Sequence, residues 1–136
     1  MQYWLFKSEP SAYSWQQMEK EKVTKWDGVR NYQAQKYMKT MKVGDLGFFY
    51  HSVKGKAIVG IVEVCKEHYC DDGSKFGQVD VKFSKPLSNH VQLSDLKQNS
   101  LLKNMAMLKQ SRLSVSPVSE NEWDEIIRMS KCESEK

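Results

Sequence analysis

A chain of 136 residues with 40% hydrophobic and 28% charged content is long enough to bury one core and too short for two, and it is too apolar for wholesale disorder. No apolar run approaches the roughly 20 residues that span a bilayer. Nor does a basic, then apolar leader precede the strand-like run at Tyr3–Phe6. An intracellular setting without membrane attachment is therefore expected, cytoplasmic or, in a eukaryote, nuclear.

The net charge of +4 is mild, but its distribution is uneven. Residues 1–118 hold 18 Lys/Arg against 11 Asp/Glu, whereas the last 18 residues carry six acids and three bases. From Lys22 to Lys42 six bases face only Asp27, and Lys97, Lys103, Lys109 and Arg112 form a second stretch without an acid. Two such stretches suit a polyanion partner, although a solvated lysine face gives the same pattern. Cys65, Cys70 and Cys132 are an odd number without a CxxC pair and read as reduced thiols. Cys65, His68 and Cys70 lie close together, but three soft ligands do not complete a tetrahedral site, so no metal is expected.

In chain order, Tyr3–Ser8 reads as a strand ending before Pro10, and Ser14 as the cap of a short helix from Trp15. Ala34, Tyr37, Met38 and Met41 share one helical face over about three turns, with a turn following at Gly44-Asp45. Leu46–His51 is an aromatic strand, 52–56 a hairpin loop, and Ala57–Cys65 an apolar strand covered on both faces. Val79, Val81 and Phe83 alternate with polar residues in a strand stopped by Pro86. Val91–Leu93 adds a short strand, Ser94 caps a brief helix, and Leu113 and Val115 alternate before Pro117. Ser119 and Glu122 form a capping box for a last helix bearing Trp123, Ile126 and Ile127. The sum is an α+β domain over residues 1–130, with residues 131–136 as a frayed tail. Its five to six strands form a small, curved, mixed β-barrel with helices around it.

Catalysis finds little support. His51 and Ser52 are adjacent, with Glu9 or Asp45 as conceivable third members, but neighbours on a strand point to opposite faces. No GxSxG elbow, HExxH, deaminase signature or Gly-rich phosphate loop is present, so no catalytic residue and no cofactor are expected.

Three blocks stand out: WLFKSEP (Trp4–Pro10), WDGVRNYQAQK (Trp26–Lys36) and GFFYHS (Gly47–Ser52). Trp4 and Trp26 offer stacking planes, and Asn31 and Gln33 carry a donor and an acceptor on one planar amide, the pairing that matches a base edge. Lys7, Arg30, Lys36 and Lys39 can take phosphate. Core packing is the competing use of each ring, above all for Phe48, Phe49 and Tyr50 on a central strand.

Together with MKVGDLGFFYHS, GIVEV, VDVKF and LLKNMAMLKQSRLSVSPV, these blocks make the chain resemble an EVE domain, a PUA-like relative of YTH and ASCH domains, over nearly its whole length. The resemblance implies a PUA-like barrel acting as a non-catalytic reader of DNA or RNA, expected as a monomer. A modified base, such as a methylated one, would be held in an aromatic pocket. By motif position that pocket would draw on Trp4, Lys7, Ser8 and Glu9, on Trp26, Asn31 and Gln33, and on Tyr50, His51 and Ser52, with Asn104 and Arg112 beside Arg30, Lys36 and Lys39 at the rim. The family usually continues RNYQARN where this chain reads RNYQAQK, so Gln35 removes a bidentate donor expected at the rim and Lys36 replaces an asparagine. A small-molecule or protein-binding module on the same fold is the alternative.

Overall fold

The computed structural model of the protein describes residues 2–9, 13–26, 29, 31–52, 56–70, 77–110 and 113–131. Six strands form one mixed sheet: β1 (Tyr3–Ser8), β2 (Val23–Trp26), β3 (Leu46–His51), β4 (Ala57–Tyr69), β5 (Gln78–Gln92) and β6 (Val115–Val118). Their spatial order is β2-β5-β4-β3-β1-β6, and only the β1–β3 pair is parallel. In this order the sheet keeps two ends, β2 and β6, where the close spacing of the strands suggests a small curved barrel. Both end strands are four residues long, and β6 carries Pro117, which cannot donate to a further partner.

Strand alternation divides the chain between two faces. On the first, Trp4, Phe6, Phe49, Val62 and Val81 pack beneath α1 (Trp15–Glu21) and α2 (Tyr32–Thr40), which contribute Trp15, Met18, Ala34 and Met38. On the second, Leu5, Phe48, Tyr50 and Ile61 meet the helical cover of α3 (Leu93–Gln98), α4 (Ala106–Lys109) and α5 (Glu120–Lys131). A 3-10 turn at Ser100–Leu102 joins α3 to the segment leading into α4. Trp123 anchors α5, its ring stacked between Phe48 (centroids 3.9 Å apart) and Tyr3 (4.4 Å). Gly60 lets the Trp15 indole lie directly on β4, because any Cβ there would overlap the ring.

β1 and β3 have the bounds that the pattern predicts, Ser14 caps α1 as expected, with Gln17 completing a capping box, and the Ser119–Glu122 box forms. Gln17 N–H donates to Ser14 Oγ at 3.2 Å and Glu122 N–H to Ser119 Oγ at 3.2 Å. Pro86 does not stop its strand. β5 continues to Gln92 because the register shifts between Ile58 and Gly60, which pairs with Pro86, so the missing N–H falls at an irregularity. The expected short strand at Val91 is the end of β5, and α3 is capped from Gln92, two residues before Ser94, with Gln92 N–H donating to Asp95 at 3.3 Å. β4 runs past Cys65 to Tyr69 because its polar end still pairs with Asp80 and Gln78. The hairpin-loop residues 53–55 and the tail from 132 lie outside the described residues.

Candidate functional site

The parallel strands β1 and β3 end side by side, and their last residues hold the start of α1. Ser52 N–H donates to Ser8 O at 2.9 Å, and Ser8 Oγ donates to Tyr13 O at 2.7 Å. The Trp15 N–H, one of the unsatisfied donors of a helix start, is taken by His51 Nε2 at 3.1 Å. A ring accepting through Nε2 carries its proton on Nδ1, so this bond presets the tautomer of His51. Burial, then the positive potential of His90, lowers the His51 pKa and favours that neutral form.

Beside this junction lies an aromatic cluster. Trp26 meets Phe6 (5.2 Å), Phe49 (5.7 Å) and Tyr13 (6.5 Å), all with rings steeply inclined to its own. Trp26 is only 7% exposed, whereas Tyr13 is half-buried and ties its hydroxyl to Glu21 at 2.8 Å. Tyr13 therefore stands at the surface edge of the cluster. It carries no pattern in the sequence, where it stands between Pro10 and the Ser14 cap.

Of the residues singled out from sequence, Ser8, Trp26, His51 and Ser52 come together here, with Glu9 exposed at the end of β1. Asn31 stands exposed at the start of α2, where its Oδ1 accepts the Ala34 N–H at 2.9 Å and caps the helix. Gln33 is exposed and donates to Tyr37 Oη at 3.1 Å. Lys36 and Lys39 lie on the solvent side of α2.

Other assignments need correction. Trp4 is a core residue whose indole N–H donates to the buried Asp45 carboxylate at 3.1 Å, so it offers no exposed plane. Tyr50 faces the opposite side of the sheet, in the Leu5–Phe48 cluster, because it is one residue out of phase with Phe49 and His51. Lys7 shares that alternation with Leu5. Its pKa is lowered by burial and then by Lys56, so these two cations mark the same sheet end from the other side. Asn104 lies between Leu102 and Met105, which pack on the second face, away from Trp26. Arg30 and Arg112 lie outside the described residues.

Gln35 is not at the rim. It is 3% exposed and hydrogen-bonded on every side: Oε1 accepts from Gly77 N–H (3.1 Å) and His68 Nε2 (2.9 Å), and Nε2 donates to Val29 O (3.0 Å) and Gly77 O (2.9 Å). An uncharged amide suits this enclosed position, and it ties the segment after β2 to the start of β5. His68 is thereby committed to an amide oxygen.

The mixed sheet, helix-covered on both faces, with an aromatic cluster at the end of its one parallel pair, is a PUA-like fold. The EVE domain family matches residues 2–129, and the chain belongs to that family. A protein of Agrobacterium tumefaciens has a similar structure, with a TM-score of 0.92 and 44% identity over 96% of this chain and 93% of that one. The crystal structure of human THYN1 protein in complex with 5-methylcytosine-containing DNA is similar at a TM-score of 0.90 and 30% identity, covering 98% of this chain and 99% of that one. Thymocyte nuclear protein 1 of Rattus norvegicus is 33% identical over 96% of this chain and 74% of its own length. An ASCH protein of Zymomonas mobilis, at 10% identity and a TM-score of 0.62, shares the fold alone.

Proposed function

We propose that this protein binds DNA and accepts a modified base, of the 5-methylcytosine kind, at the junction of β1, β3 and α1, without catalysis. The observation that carries this reading is the likeness along nearly the whole chain to human THYN1 protein, whose structure holds DNA containing 5-methylcytosine. The local geometry supports it. His51 carries a preset Nδ1–H, Asn31 stands exposed at the start of α2, and Tyr13 supplies aromatic surface at the edge of the cluster in which Trp26 is buried.

A base reaches such a site unpaired, and extrusion from a duplex costs a few kcal/mol, least for a base that is already unpaired. Burying one methyl contributes only about 0.8 kcal/mol, roughly a fourfold preference, so stronger discrimination requires a polar contact to the base edge. Asn31 and His51 are assigned that contact. The lysines of α2 add affinity that falls with salt. The protein acts as an intracellular monomer in this reading. No helix among the described residues is long and apolar enough to cross a membrane.

The test is a titration of tryptophan fluorescence with short single-stranded DNA and RNA, each with one methylated cytosine or an unmodified control, at two salt concentrations. A preference for the methylated DNA that persists at the higher salt is expected. Asn31→Ser, which keeps a helix cap but removes the amide, should reduce it. Equal binding of every oligomer, erased by salt, would refute base reading and leave only a basic surface.

A further inference from the structure

The bond that places His51 is one that a single proton breaks. Among the described residues its Nε2 has one hydrogen-bond partner, the Trp15 N–H at 3.1 Å, and that bond needs a lone pair on the nitrogen. An imidazolium has none to offer. Both ring nitrogens are then donors, so turning the ring over does not restore the bond. The Trp15 side has little freedom to yield: Ser14 caps α1 through the Gln17 N–H, and the Trp15 indole lies hard against β4 at Gly60. The imidazole is therefore the partner that moves.

The surroundings favour the neutral ring. β1 ends beside His51 at Ser8, followed by exposed Glu9, and β4 lies on its other side through Ala57. Phe49 meets the ring edge to face at 5.6 Å. β5 contributes exposed His90, and Lys7 and Lys56 approach the same sheet end from the second face. Burial first, and then the charge of His90, lowers the His51 pKa. Glu9 is the one acid among these groups, and it is not bonded to His51.

We propose that His51 is the specificity switch of the base site: neutral, it is locked to α1 and offers its Nδ1–H to the base edge; protonated, it leaves Trp15 and becomes a freed cation that meets phosphate instead. With falling pH the junction changes from a selective reader into a stronger but indiscriminate binder of nucleic acid. This rests on the reading of the junction of β1, β3 and α1 as a base site, because the selectivity that is lost is the one proposed there.

The test has two readouts on the full chain between about pH 7.5 and about pH 5, a range that spans the titration of histidine. By NMR of the free protein, the Trp15 backbone amide and the His51 ring should shift together, with one midpoint below 6.5. By fluorescence anisotropy with labelled single-stranded DNA, methylated or unmodified at one cytosine, the methyl preference should fall across that midpoint to no more than the roughly fourfold that a methyl alone gives. Over the same step the slope of log affinity against log salt should steepen by up to about 0.7, one further phosphate contact on a single strand. His51→Gln, which places an acceptor near the position of Nε2 and does not titrate, should abolish both changes. His90→Asn removes the opposing charge and should move the midpoint to higher pH, whereas His68→Asn should leave it in place.

A Trp15 amide that ignores the titration of His51 overturns the switch, as does a methyl preference equal at both ends of the range; in either case a preference at neutral pH leaves base reading in place. Both changes persisting in His51→Gln would also overturn it, by placing the titration in the DNA or in another histidine. A preference absent at every pH, with the amide and the salt slope still following His51, removes base reading and leaves the exchange of a bond for a charge standing. Thermal melts at both ends of the range establish that each variant is folded at the assay temperature.

Discussion

Asp45 allows the placement of Trp4 to be measured. Its carboxylate is buried just before β3 and accepts the Trp4 indole N–H at 3.1 Å, the Lys42 N–H at 3.0 Å and the Gln2 N–H at 3.2 Å. In Asp45→Ala the Trp4 indole N–H loses its acceptor away from bulk water, while Gln2 and Lys42, both exposed residues, turn their part-buried N–H groups to solvent. At about 1–3 kcal/mol for an orphaned buried donor, the loss is of that size. For a chain of this length that lowers Tm by about 3–15 °C. Trp4→Phe deletes the N–H but keeps an aromatic ring in the core.

If the bond matters as the geometry indicates, the second change costs less once the first is made. A double-mutant cycle by urea unfolding should give a coupling of about 1.5–3 kcal/mol, the range for a hydrogen bond to a charged group. Coupling below about 0.5 kcal/mol would refute the account. The same Trp4→Phe variant, folded at a temperature below its Tm, should keep its affinity for each oligonucleotide within about twofold. Loss of base preference in that folded variant would return Trp4 to the binding surface.

Three further outcomes are expected. Gly60→Ala drives a methyl into the Trp15 ring and should cost about 1–3 kcal/mol, visible as a lower urea midpoint; an unchanged midpoint would mean that the indole does not lie on β4. The pKa values of His51 and His68 are both lowered from 6.5, in each case chiefly by burial, so in this range the unfolded chain binds more protons than the folded one. Their contribution is complete above about pH 6.5 and declines as pH falls through the folded values, so Tm should drop below that point, and His51→Asn should flatten the profile. Ser116 Oγ is buried with no hydrogen-bond partner among the described residues, so Ser116→Ala should raise stability by about 1 kcal/mol in the same denaturation assay, where a loss would reveal a partner.

Elements governed by local chemistry were legible from the sequence. β1 and β3 announce themselves by aromatic runs, α1 by its Ser14 cap, and α5 by a capping box whose two bonds depend on residues three apart. What depended on distant partners was not. Val23–Trp26 has no alternation to mark it and is a strand because β5 offers an edge from Val79 to Lys82. Pro86 stops a strand by local rules but is accommodated by an irregularity in β4. Gln35 had no local reason to turn inward, since three of its four hydrogen bonds reach Gly77 and His68, more than thirty residues away. The site was legible as a set of blocks. Its division between the two faces was only partly so: alternation separates Tyr50 from His51, but the burial of Trp4 depends on Asp45, which the sequence presents as a turn residue.

The first strand has its neighbours far along the chain: Trp4 lies opposite Gly47 on one side and Pro117 on the other. During synthesis the apolar run Trp4-Leu5-Phe6 emerges before either neighbour and stays unpaired on its second edge until β6, more than a hundred residues further on, has left the ribosome. Such pairings close slowly, because the loop entropy of more than a hundred residues is met before any contact offsets it. A chain halted before Val115 therefore cannot complete its sheet and presents a sticky aromatic strand. For this protein, productive folding is a late, nearly all-or-none event, and nascent or truncated chains are where aggregation and chaperone dependence will concentrate.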